Sequence, residues 1–272
     1  MYEFKLLGTP DIAAPTLILS MMSVSTTKPM TISQMVEGGR LFGIEPATTR
    51  VAATRLLKEG KLNSVERGVY VPGPSAKALI DRVSHWQDVK KKVSAWAGDW
   101  IAVHTGHLGR TDRKRLRSCL RALSLNGYAE VYSGFSLRPN NLSASLNEHR
   151  DSLLAIGMDE SAIVARIAEV SLPQGLELET LWSRDELKRS YQKALEAMRQ
   201  SLEKLPAMTT SEAARETLLV GESVIKTINF DPLLPDAIGE TELFQNMIDE
   251  MARYNQTGME FWNQYWQEGF PS

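Results

Sequence analysis

Residues 46–62, PATTRVAATRLLKEGKL, hold three threonines and two arginines with no acid before Glu59. Arginine's fork bonds a guanine edge bidentately or grips a phosphate, and threonine offers a hydroxyl to phosphate and a methyl to thymine. On a helix turning roughly 100° per residue, Ala52, Ala53, Leu56 and Leu57 share one arc. Thr48, Val51, Thr54, Arg55 and Lys58 share the other, with Arg50 on its edge. One face can therefore pack while the other meets nucleic acid; an ordinary amphipathic helix with a solvated face is the plainer alternative. A denser cluster follows at Arg110, Arg113, Lys114, Arg115, Arg117 and Arg121. All but Arg115 keep i, i+3, i+4 spacing, so they form one cationic stripe near a helix N-terminus, where backbone N–H groups also favour anions.

Residues suited to covalent or metal chemistry are sparse. His104 and His107 stand three apart on an expected strand end and point to opposite faces, so shared metal binding needs a turn at Gly106. Cys119 has no identifiable base partner and reads as a small packed hydrophobe. With no nucleophile elbow or related motif, hydrolase chemistry has no support. We expect no catalytic residue, no metal and no cofactor.

The chain that must position these groups has 272 residues, 43% of them hydrophobic, which suits two or three packed domains. Charge is polarised along it: residues 1–75 carry a net of +2, residues 76–150 a net of +7, and residues 151–272 a net of -11. That asymmetry fits a polyanionic partner met by the first half alone. The lone cysteine, together with the lack of a charged leader or a long apolar run, leads us to expect a chain of the reducing cytoplasm with no membrane partner.

Three helices precede a hairpin at the start. "PTLILSMMSV" from Pro15 reads as a buried helix ended by Thr26, Thr27 and Pro29, and "MTISQMVEGGRLFGI" as a second capped by Thr31 or Ser33. Gly38 and Gly39 weaken that second helix unless one closes it early. Pro46 opens the third and Gly60 stops it, and "LNSVERGVYVP" alternates on both sides of Glu66-Arg67-Gly68. This order is that of a winged helix-turn-helix, whose last helix enters the major groove.

After a connecting helix from Pro74 to Val93, "DWIAVHTGH" reads as a strand and "TDRKRLRSCLRALSLNG" as a helix capped by Thr111 or Asp112 and stopped at Gly127. "YAEVYSGFSLRP" reads as one strand, Leu146 to Ile156 as a helix and "AIVARIAEV" as a third strand. Helices across one face of a small sheet predict a ferredoxin-like α+β domain. From "WSRDELKRSYQKALEAMRQSL" the pattern is helical to the end, interrupted at "FDPLLPD"; Trp262, Tyr265 and Trp266 sit at helical spacing as core or dimer contacts. The expected fold is mainly α with α+β: a winged helix-turn-helix at 1–75, a connecting helix at 76–95, a ferredoxin-like domain at 96–175 and a helical domain at 176–272.

Several of these stretches, in this order, resemble the PaaX-type transcriptional repressors of aromatic catabolism. They are "TTRVAATRLLKEGKL", "WAGDW" at 96–100, "LRALSLNGYAEVYSGFSLRPNNL", "LWSRDELKRSY" and "FDPLLPD", with "ELFQNMIDEM" in the place of a closing helix. The resemblance implies a cytoplasmic homodimer that represses a catabolic operon and leaves its double-stranded operator on binding an acyl-CoA such as phenylacetyl-CoA. It also implies a central domain like the ferredoxin fold of a CRISPR adaptation nuclease. With only Asp99 near its first strand, nuclease activity is not expected. Asp99 stands where the family often has arginine, and "LRALSLNGY" lacks the family's tryptophan, so the effector can differ from the phenylacetyl one.

We expect Thr48, Thr49, Arg50, Thr54, Arg55, Lys58 and Arg67 to meet DNA, with Arg55 leading and Arg67 at the wing tip. Arg110, Arg113, Lys114, Arg117 and Arg138 are the expected effector contacts. The stripe at 110–121 suits CoA phosphates, DNA phosphates or solvent. An acyl-CoA-binding enzyme, or an interaction module without DNA binding, is the alternative function.

Overall fold

The computed structural model describes residues 12–24, 29–74, 85–108 and 112–268, and the chain divides into two compact units. Unit 1 comprises residues 1–87, 194–226 and 248–272; unit 2 comprises 88–193 and 227–247.

Unit 1 begins with α1 (Ala14–Val24), α2 (Ile32–Leu41) and α3 (Pro46–Lys58). A sheet of β1 (Met30–Thr31), β2 (Leu62–Glu66) and β3 (Val69–Pro72) follows in the order β1-β3-β2, all antiparallel. This is the expected winged helix-turn-helix. Thr31 caps α2 in a reciprocal capping box with Gln34. The two glycines do not end that helix early. A Cβ on Gly38 would lie 2.2 Å from Met21 Sδ, and one on Gly39 would lie 2.5 Å from Thr49 Oγ1. They let α1 and α3 approach α2 closely, and tertiary packing offsets their poor helix propensity.

α1 is apolar nearly all round, and such a helix must be covered on more than one side. Leu17, Ile18, Met21 and Met22 are buried with Met35, Ala53, Leu56 and Leu62 on one hand and with Ala214, Leu218, Trp262 and Tyr265 on the other. Those last four belong to α8 (Thr210–Asn229) and α9 (Thr241–Gln267). Each such buried Leu, Ile, Met or aromatic side chain contributes about 1.5–3 kcal/mol. The expected helical domain at 176–272 is therefore not a unit of its own. Both helices, and α7 (Arg184–Lys204), contribute residues to each of the two units.

Unit 2 carries the second sheet: β4 (Trp100–His104), β5 (Ala129–Tyr132), β6 (Phe135–Pro139) and β7 (Ile163–Ile167), in the order β5-β6-β4-β7 and antiparallel throughout. With α5 (Arg113–Leu125) between β4 and β5 and α6 (Leu146–Leu154) between β6 and β7, this is the βαββαβ ferredoxin-like arrangement. "YAEVYSGFSLRP" is two strands rather than one. Gly134 at φ 80 turns the chain, and a Cβ there would meet Gly106 Cα at 2.5 Å. Ile101 and Val103 pack under α5 and α6 with Cys119, Ala122, Leu123 and Leu153, while Trp100, Ala102 and Leu137 face Leu178, Leu234 and Ile238. Of the connecting helix, residues 75–84 lie outside the described residues; beyond them the chain forms a 3-10 turn at His85–Asp88 and the short α4 (Val89–Lys92).

Candidate nucleic-acid interface

α3 has no side-chain cap and starts on Pro46, whose fixed φ suits a first helical turn. Its buried face is Thr49, Ala52, Ala53 and Leu56. Thr48, Arg50, Val51, Thr54, Arg55 and Lys58 are all exposed. Six of the seven expected DNA contacts, Thr48, Arg50, Thr54, Arg55 and Lys58 on α3 together with Arg67, are thus open to a partner. Thr49 is not: it is 1% exposed and packed against Gly39, and its hydroxyl points at the Glu45 carbonyl. Its position three and four residues before Ala52 and Ala53 puts it in the middle of the buried arc, and only its residue type suggested otherwise. Leu57, expected on the packed arc, lies at that arc's rim and is 38% exposed.

Arg55 donates to Glu59 Oε1 at 2.8 Å, and Lys61 pairs with Glu59 Oε2 at 2.7 Å. The Lys61 hydrogen bond, followed by that of Arg55, holds the Glu59 carboxyl below its usual range. Arg55 is poised at the surface, and such an exposed ion pair costs little to exchange for a phosphate or base. Val51 is 69% exposed, a large apolar side chain in the middle of a polar face. Its spacing placed it on the open face, but the expected contacts there were all polar, although an apolar contact suits a thymine methyl. The hairpin turns at Arg67-Gly68, where Gly68 has φ 78, and Val65 beside the turn is 56% exposed.

In unit 2, the expected effector set is not brought together. Arg110 lies outside the described residues. Arg113, Lys114 and Arg117 are exposed on α5. Arg138 is buried, 2% exposed, and its donors are spent on the fold. They reach the carbonyl of Asn126 at 2.6 Å, that of Pro139 at 3.2 Å, that of Pro232 at 3.3 Å and the Asn141 side chain at 3.3 Å. Asn141 donates in turn to the Leu233 carbonyl at 2.7 Å. Arg138 is therefore a structural cation that ties β6 to the "FDPLLPD" segment, not an effector contact. Gly127 completes this node: at φ 75, a Cβ would meet the Pro232 carbonyl oxygen at 2.6 Å, and its own carbonyl accepts from Trp182 Nε1 at 3.1 Å. Beside it, desolvation and the Arg138 charge lower His149 to about 4.

The remaining candidates are structural. Asp99 is buried, accepting from Asn140 at 2.7 Å and from Arg166 at 2.5 Å. Burial alone would raise its pKa, but those two hydrogen bonds and the Arg166 charge bring it below the ordinary value. Trp96 donates to the Asp99 carbonyl at 2.6 Å and meets Trp100 edge-on at 5.1 Å, which accounts for the tryptophan spacing of "WAGDW". Cys119 is fully buried, and desolvation raises its thiol. His104 and His107 are ring neighbours at 5.6 Å because the chain does turn at Gly106, and the Nε2 of His107 bonds with the Ser161 carbonyl. Among the described residues no group of three or more His, Cys, Asp or Glu could hold a metal ion. A cleft opens between Val89, Val93, Tyr191, Asp231, Leu234 and Phe244. Among the described residues no helix is long and apolar enough to cross a membrane.

No family model and no curated protein matches the sequence. The chain is similar in structure to the uncharacterized protein Rv0674 from Mycobacterium tuberculosis, at 17% identity and a TM-score of 0.59, over 90% of this chain and 98% of that one. At that identity the likeness speaks for a shared fold across both units.

Proposed function

We propose that this chain is a DNA-binding transcriptional repressor of the PaaX type, acting on a catabolic operon and released from its operator by an aryl-acyl-CoA thioester. One observation carries the DNA-binding part: the third helix of a winged helix-turn-helix keeps Thr48, Arg50, Val51, Thr54, Arg55 and Lys58 on its solvent face, opposite a packed face of Thr49, Ala52, Ala53 and Leu56. In this fold that helix lies in the major groove and the hairpin tip, here Arg67, reaches the backbone or minor groove. The side chains on the open face are of the kinds that read base edges and hold phosphate. The effector and the phenylacetate context rest on the order of the sequence motifs.

Repression by a homodimer gives two half-sites. The effector then acts by binding the free and the DNA-bound dimer with unequal affinity, shifting the equilibrium by that difference and no more. The test is fluorescence anisotropy of the full chain on duplexes from upstream of its own and neighbouring genes, with and without a panel of acyl-CoAs. The reading expects saturable binding to one duplex, weakened by one thioester. It fails if the protein turns over a thioester without binding DNA, or if neither ligand binds.

A further inference from the structure

α5 carries more exposed positive charge than its fold requires. Arg113, Arg117 and Arg121 follow i, i+4, i+8 spacing, and Lys114 lies beside them. The four fall within roughly 100° of helical arc, opposite the buried Cys119, Ala122 and Leu123. Like charges at i, i+4 destabilise a helix; among the described residues the ion pair on this helix belongs to Arg115, outside these four, and Arg117 spends its Nε donor on the Arg113 carbonyl at 3.1 Å. Two acids do belong to this helix's surroundings, and both are committed. Asp159 takes Arg115 in an ion pair, outside the stripe. Asp112 caps the helix, accepting from Lys114 N at 3.1 Å and Arg115 N at 3.0 Å.

These facts decide between two phosphate sources. A CoA head would use the helix N-terminus as its compact anion site, and Asp112 already holds that place. Its acyl arm would need an apolar wall, and no large exposed apolar side chain lies on α5. A line of guanidinium groups spanning about 12 Å of helix axis instead matches an extended row of phosphates. We propose that the Arg113, Lys114, Arg117 and Arg121 face of α5 holds the phosphate backbone of duplex DNA, a sequence-independent contact outside the winged helix. The inference rests on the DNA-binding reading above.

The experiment compares full-length wild type with Arg113→Gln/Arg117→Gln/Arg121→Gln on the duplex that wild type binds best, over a salt series, alongside binding of phenylacetyl-CoA and free CoA. Removing three phosphate contacts from each protomer should flatten the log–log salt dependence by about 2.7 per bound protomer, about 5.4 for a dimer on two half-sites, and weaken binding at least tenfold, with base preference kept. Thermal melting should stay level or rise, because like-charge repulsion along the helix is relieved, and so separates lost contacts from lost fold. An unchanged slope with wild type still bound overturns this inference alone. Loss of CoA binding with DNA binding intact overturns it in favour of a nucleotide phosphate. If wild type binds no duplex, the repressor reading and this inference fall together.

Discussion

Arginine is used in opposite ways in the two units. On α3, Arg50 and Arg55 stand in water on a helix whose packing does not depend on them. On β6, Arg138 is enclosed and satisfies three backbone carbonyls and an asparagine. Both kinds were candidates for a binding role from sequence. What separates them is where the donors go: a guanidinium already spent on carbonyls can recognise nothing else, whereas an exposed one held by a single carboxylate keeps its fork for a partner.

The largest expected effect is on Arg138. Arg138→Met should cost about 3–5 kcal/mol by leaving several buried carbonyls without donors, read as a shifted urea midpoint. A loss under about 1 kcal/mol would erase the contrast. Next comes the pH dependence of the same neighbourhood. His149 titrates at about 4 when folded against 6.5 as the ordinary value. The unfolded chain therefore binds the proton first, so this stability is fully present above pH 6.5 and lost as pH falls toward 4. At about 1.4 kcal/mol per pH unit the loss reaches about 3 kcal/mol, and His149→Phe should flatten that limb of a stability–pH curve.

On the other side of the contrast, Arg50→Glu/Arg55→Glu should leave the melting temperature within about 2 °C yet weaken specific DNA binding at least ~100-fold, since each base or phosphate contact carries about 1–3 kcal/mol. Unfolding of that variant would move these residues to the structural class. The smallest effect is at Val51. Val51→Ala should weaken binding by about 1 kcal/mol, and uracil in place of one thymine should weaken wild type similarly while leaving the variant nearly unchanged.

The order of elements was legible because caps and stops are local: Thr31 with Gln34, Pro46, Gly60 and Gly127 each act within a few residues. The βαββαβ order was nearly so, missing only the Ser133-Gly134 turn that splits one apparent strand. What was hidden depends on distant partners. Nothing near Arg138 in sequence announces the Pro232 and Leu233 carbonyls about ninety positions away. Nothing near α1 announces the tryptophan and tyrosine of α9 that cover it. Thr49 was misplaced by its chemistry although its spacing was informative. Val51 stood on the open face from its spacing, yet the expected DNA contacts were all polar and did not include it.

The most direct test of the central claim is selection of bound duplexes from a random pool by the full chain and by Arg50→Glu/Arg55→Glu. The account predicts a recurring motif for wild type, repeated as half-sites about one helical turn apart, and no motif for the variant. The same motif from both proteins, or none from wild type, would contradict it.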